Sequence, residues 1–128
     1  LGMIHSMAHP LSAEYNVHHG LANTLLIKFA LEFTLDKAIK TGNLALLNKL
    51  KLIGNIISNK TSSVPNDIPD LINSFIISLK INLGLIKQGI KIEHIPKLAQ
   101  LAFEDNCHAT HPFLVSKDDF QTVYTRAI

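Results

Sequence analysis

The chain has no tryptophan, a single cysteine (Cys107) and a single arginine (Arg126) in 128 residues. One cysteine excludes an internal disulfide framework and fits a reducing compartment such as the cytoplasm. Charge is also scarce, with 17% charged residues and a net charge of +2. Eleven of the twelve basic residues are lysine, so the planar guanidinium fork that phosphate readers favour is nearly absent. A weak positive balance of this kind argues against nucleic acid or an anionic membrane as a partner. Uncharged stretches such as Leu71–Leu79, broken by Asn73, Ser74 and Ser78, are too short and too polar to span a bilayer. The first residues lack the basic segment followed by an apolar run that a secretory signal needs. The six glycines are all isolated, so no glycine-rich turn is present to cradle cofactor phosphates.

Apolar residues, by contrast, are abundant. Leucine and isoleucine occupy 35 positions, and 47% of the chain is hydrophobic, which excludes a disordered chain. The length suits one domain, residues 1–128. The expected class is a soluble, intracellular, compact domain.

Helical spacing dominates. Leu46, Leu50, Ile53 and Ile57 recur at intervals of three and four, as do Ile72, Phe75, Ile76, Leu79 and Leu83. Leu98, Leu101 and Ala102 form a shorter set. Each set shares one side of a 3.6-residue helix, and no long alternation or Asn-Gly hairpin turn competes. The reading is all-α, a multi-helix domain. Thr41-Gly42-Asn43 breaks the first half. Asn59 to Pro69 reads as a loop, with Asp67 or Asp70 as the cap of the next helix. Gly84 and Gly89 are expected to bracket that helix's end. Pro96 suits the first turn of another helix. Asn106 to Val115 is expected to be irregular, and Ser116 with Asp119 to cap the last helix. The Lys- and Asn-rich run Lys49–Lys60 reads as a solvated helix face.

Four of the seven histidines lie in the first nineteen positions. His5 and His9 are four apart, so on a helix their imidazoles share a face one turn apart. His19 follows a turn expected at Tyr15-Asn16 and can fold back toward the same point. Imidazoles in such a group suit divalent ions such as Zn(II) or Fe(II). Ser6 follows His5 where a zinc protease needs a glutamate base, which excludes that chemistry. Pro10 is expected to kink or end the first helix just after His9.

The wording of the segment is more specific than its spacing. Leu1 to Leu26 reads LGMIHSMAHPLSAEYNVHHGLANTLL. It resembles the signature of the iron-containing (group III) alcohol dehydrogenases: a glycine-bearing helix with a His, then Met-Ala-His-Pro-Leu, an aromatic turn, and His-Gly-x-x-Asn. Ile95-Pro96-Lys97-Leu98-Ala99 after Gly89-Ile90 is similar to that family's late helix pair. Asp105-Asn106-Cys107 to Pro112 is similar to its Asp-x-Cys…Asn-Pro-Arg segment, and Ser116 to Ala127 to its closing helix. Glu32 to Leu83 matches only in helical pattern.

The resemblance implies the C-terminal half of the iron-containing alcohol dehydrogenase and dehydroquinate synthase-like fold. It implies that His5 and His19 are metal ligands. His9 is implied as a catalytic histidine beside the metal and nicotinamide, and Cys107 as a substrate-pocket residue. Gly20 and Asn23 would support the ligand-bearing turn. His18, His94 and His108 would be passive. The implied activity is NAD(P)-dependent interconversion of alcohols with aldehydes or ketones, using Fe(II) or Zn(II). An N-terminal nucleotide-binding domain, with a further Asp and His ligand, would lie upstream of Leu1. Departures stand at Ile27-Lys28-Phe29 and His111-Pro112-Phe113, where the family has Leu-Pro-His and Asn-Pro-Arg. Ser12 and Glu14 depart too. The chain alone is expected to bind metal loosely and to lack turnover. It is expected to expose an apolar face suited to a homo-oligomer or to the missing domain. The rival reading is a stand-alone helical metal-binding or interaction module that keeps the scaffold without catalysis. A weaker one is a small metal-dependent hydrolase with Glu14 as base.

Overall fold

In a computed structural model, residues 1–59 and 64–128 are described. Among them six α-helices and no strands occur: α1 (Met3–Tyr15), α2 (His19–Lys40), α3 (Leu44–Ser58), α4 (Ile68–Ser78), α5 (Ile95–Glu104) and α6 (Lys117–Ala127). The all-α reading holds. Two compact units divide the chain, one of Leu1–Ala30 with Leu83–Ile128, the other of Leu31–Asn82.

In the first unit, Met3, Met7 and Leu11 recur every four residues along α1 and are fully buried. This stripe packs α1 against α5, which also packs on α6. Of the two outcomes expected of Pro10, a kink or an end, the end does not occur, since α1 continues to Tyr15. A mid-helix proline deletes a single donor, and the buried stripe on both sides of it keeps the helix going. The turn falls where expected, with Asn16 in the left-handed region at φ 59° and its N–H donated to the Leu11 carbonyl.

At the chain start, Gly2 has φ 70°, and an added Cβ would lie 3.3 Å from His111 Nδ1. Its N–H donates to Thr110 Oγ1 at 3.0 Å. Both its conformation and the close approach of His111 require glycine there.

Pro96 sits in the first turn of α5, and Leu98, Ala99 and Ala102 are buried. Ser116 and Asp119 form a complete capping box on α6: the Asp119 N–H donates to Ser116 Oγ at 3.1 Å, the Ser116 N–H to Asp119 Oδ2 at 2.9 Å. Phe120, Val123, Tyr124 and Ala127 then face the core at helical spacing. The buried Tyr124 hydroxyl donates to the Met7 carbonyl at 2.6 Å, joining α6 to α1. Burial pushes that phenol far above its ordinary range, so it stays a donor.

In the second unit Asn43 caps α3, its side chain accepting the Leu46 N–H at 3.1 Å. Of the expected α3 stripe only Leu50 is buried, while Ile53 and Ile57 are exposed. On α4, Ile68, Ile72 and Ile76 are buried and Phe75 and Leu79 exposed. Asp67 occupies the cap position without a side-chain capping bond, because a 3-10 turn at Pro65–Asp67 leads directly into the helix. Residues 60–63 of the Asn59–Pro69 loop, Lys60 of the lysine-rich run among them, lie outside the described residues.

The end of α4 differs from expectation. The helix stops at Ser78 rather than reaching Leu83. The Leu79 and Lys80 N–H groups tighten onto Ile76 and Ile77, and Lys80 takes a left-handed φ of 60°. Leu83 already belongs to the first unit, where Leu85 and Ile90 are fully buried. Burying those two side chains outweighs continuing a regular spacing. In the second unit Leu44, Leu52, Ile56, Phe75 and Ile77 remain exposed, an open apolar surface.

Two outcomes are expected in denaturation of the chain. Tyr124→Phe should lower stability by about 1 kcal/mol, because it removes one buried donor while keeping the ring. The second concerns His111, whose imidazole is pushed down to about 4 by burial and by the nearby His108. The unfolded ring titrates near 6.5. Between those values the unfolded chain binds more protons, so stability rises with pH. The contribution is complete above about pH 6.5 and is lost as pH falls toward 4. His111→Gln should flatten the stability profile in that window; an unchanged slope would mean that other groups produce it.

Candidate metal centre

The i, i+4 spacing of His5 and His9 on α1 places their ring centroids 6.0 Å apart, edge to face. The reversal at Asn16 then brings in His19, the first residue of α2. Its ring lies 5.4 Å from His5 and 5.3 Å from His9, stacked on the latter at 25°. The three imidazoles that the sequence singled out are therefore together, although fourteen positions and a turn separate the ends of the set.

Each ring has a different environment. His5 Nδ1 is buried with no hydrogen-bond partner, so its bonding capacity is open to a cation. His19 Nε2 is 3.0 Å from Asn23 Nδ2, which also donates to the His19 carbonyl at 2.9 Å. If the amide donates, that nitrogen's lone pair is taken, and a cation binding there would have to displace Asn23. Asn23 thus ties its side chain back onto the first turn of α2. This donor set fits a borderline divalent ion.

His9 is placed by a residue that sequence reasoning missed as a functional partner. Its Nδ1 lies 2.7 Å from Asp105 Oδ2. Asp105 follows α5 directly and is otherwise engaged through Oδ1, which accepts the Ser6 hydroxyl at 3.0 Å and the Cys107 N–H at 2.7 Å. Burial pushes the Asp105 carboxyl up, but hydrogen bonds from His9, the Cys107 amide and thiol, and Ser6 outweigh it and hold it well below the ordinary carboxylate range. The group is an anionic acceptor, so His9 Nδ1 must donate. The available signal was the Asp-x-Cys wording; in the structure its aspartate caps the short 3-10 segment Asn106–Thr110.

Cys107 is half-buried beside this pair. The Asp105 hydrogen bond, burial and the Asp105 charge push its thiol above the ordinary range. The remaining histidines lie elsewhere. His18 is exposed. His94 Nδ1 accepts the Lys91 N–H at 3.2 Å, and its ring stands 4.9 Å from Tyr15. His108 Nε2 bonds the Phe103 carbonyl at 3.0 Å, its ring between Phe103 and Phe120. Glu14 pairs with Lys97, which leaves the hydrolase reading without its base.

Likenesses to known proteins bear on the family and the fold. Residues 1–128 match the model of the Fe-containing alcohol dehydrogenase family, C-terminal. The lactaldehyde reductase of Escherichia coli (strain K12) is 28% identical over 130 residues, covering 99% of this chain and 32% of that protein. The NAD-dependent methanol dehydrogenase of Bacillus methanolicus is 27% identical, covering 100% of this chain and 33% of that protein. The solved 1,3-propanediol oxidoreductase superposes with a TM-score of 0.80 at 20% identity, covering all of this chain and 33% of that one. The alcohol dehydrogenase from Oenococcus oeni does so at 0.80 and 23%. This chain thus spans about a third of the length of these proteins. By a family match over its whole length, the chain belongs to the Fe-containing alcohol dehydrogenases and corresponds to their C-terminal region.

Proposed function

We propose that this chain is the helical, metal-binding part of a longer polypeptide that interconverts alcohols with aldehydes or ketones, with NAD(P) as hydride carrier. The observation that carries the proposal is the convergence of His5, His9 and His19 from two helices, with ring centroids 5.3–6.0 Å apart. His5 and His19 would hold Fe(II) or Zn(II) as neutral imidazoles. Two ligands leave such a site incomplete, so the remainder of the polypeptide must supply others. A cation bound there would act as a Lewis acid toward the alcohol or carbonyl oxygen.

The chain's own residues have separate tasks. Asp105 fixes His9 Nδ1 as a donor, which directs Nε2 to the outward role. That nitrogen can orient the substrate hydroxyl or pass on its proton. Cys107 would border the substrate and limit its size. Hydride transfer requires a nicotinamide, whose phosphates this chain has no glycine-rich turn to hold. An N-terminal nucleotide-binding domain is therefore the partner this function needs. The lone cysteine fits the cytoplasm.

The test uses the whole polypeptide that contains this chain. His5→Ala and His19→Ala should each lose bound metal and alcohol oxidation together. His9→Ala should keep its metal and lose roughly 10²- to 10⁴-fold in kcat. Turnover that persists in His5→Ala after exhaustive chelation would overturn the proposal. The 128-residue chain by itself should bind metal weakly and show no NAD(P)-linked turnover.

A further inference from the structure

Asp105 has a second potential use. Its carboxylate accepts from two groups that can also ligate a metal, His9 Nδ1–H and the Cys107 thiol. One nitrogen, one carboxylate oxygen and one sulfur of His9, Asp105 and Cys107 all lie within 4.8 Å of one another. We propose that these three side chains form a second cation site, apart from the His5–His19 pair, for a thiophilic divalent ion such as Zn(II).

Geometry, charge and support each favour this assignment. Ligand atoms around a tetrahedral zinc sit roughly 3.3–3.8 Å apart, so the widest pair needs to close by only about 1 Å. The 2.7 Å His9–Asp105 pair opens by a comparable amount as its shared proton leaves. Mixed nitrogen, oxygen and sulfur donors select a borderline ion over calcium or magnesium. A thiolate and a carboxylate neutralise the two positive charges.

Outer contacts are already built. Ser6 and the Cys107 amide hold Oδ1, leaving Oδ2 to the ion, and the fully buried Ser6 also donates to the Asp105 carbonyl at 3.1 Å. Such contacts fix a ligating carboxylate in place. Cys107 is only half-buried, so the ion has a route from solvent.

The protons balance. Cys107 forms its bond to the metal by losing the thiol proton to solvent. His9 stays neutral, its proton moving from Nδ1 to Nε2 as Nδ1 binds. One proton is released per ion. If the dehydrogenase reading holds, an ion here would inhibit, because it takes the nitrogen that Asp105 orients. The site itself does not depend on that reading.

Cd(II) is the probe, because a cadmium–thiolate bond has its own ultraviolet charge-transfer band. Cd(II) is titrated into the reduced chain, and the difference between parent and Cys107→Ser spectra isolates this thiol. The band should saturate at one equivalent, with one proton released. It should survive the double substitution His5→Ala/His19→Ala. His9→Ala and Asp105→Asn should each weaken binding by at least the roughly 10-fold that loss of an outer contact costs, with helical circular dichroism unchanged. The proposal is overturned if no band forms on the folded chain. It is equally overturned if His9→Ala and Asp105→Asn bind Cd(II) as tightly as the parent, which would leave a lone thiol. Loss of the band in the His5→Ala/His19→Ala protein would place the ion among the other histidines and also refute it. None of these readouts uses enzyme activity, so the dehydrogenase proposal stands or falls separately.

Discussion

The ionised carboxylate of Asp105 is the constraint on which this site depends. It is held by four donors drawn from two distant parts of the chain: Ser6 and His9 on α1, and the amide and thiol of Cys107. Ser6 is fully buried, so its hydroxyl must be satisfied internally, and Asp105 provides both a backbone and a side-chain acceptor. An asparagine there would present an amide donor at one position where the surrounding groups also donate. Removing the carboxylate would take a shared acceptor from His9 and the Cys107 amide, while Ser6 would keep the Asp105 carbonyl.

That carboxylate can serve only because the scaffold fixes α1. Helix α5 packs on both α1 and α6, and the Tyr124–Met7 hydrogen bond ties the outer pair. The Met3–Met7–Leu11 stripe anchors one side of α1. His5 and His9 are offset from Met3 and Met7 by two residues, roughly 200° around the helix. The histidine pair therefore points away from that stripe while staying rigidly attached to it. Rigidity of this kind is what a site shared with another part of a polypeptide requires, since its ligands must wait in position.

How much of this could be read from sequence depended on separation along the chain. The His5–His9 pair follows from a four-residue interval, and His19 from a turn that Asn16 closes in the left-handed conformation. Those are local relations. The His9–Asp105 bond spans 96 positions, and no periodicity encodes it. Asp105 was visible only as part of the Asp-x-Cys wording, which gave it no partner. The same limit explains the end of α4. Leu79 and Leu83 continue the helical spacing, yet the destination of Leu83, Leu85 and Ile90 in the other unit decides where the helix stops. Pro10 shows the opposite case for the helix end, one of the two outcomes expected of it. A strong local breaker was overridden by burial on both sides of it.

The thiol shows why these contacts must be considered together. On the proposed function, Cys107 stands beside an aldehyde or ketone. A thiolate there would add to the carbonyl and trap it, since the thiolate is the nucleophilic form. An ordinary thiol already holds its proton at neutral pH, and the Asp105 hydrogen bond, burial and the Asp105 charge push Cys107 further in the same direction. The carboxylate that orients His9 therefore also helps push the Cys107 thiol up. A thiophilic cation reverses both effects, drawing Cys107 into the thiolate form and taking His9 Nδ1 from the carboxylate. Orientation of the histidine and the upward push on the thiol thus come from one anion, and both change if that anion is given a metal ion to bind.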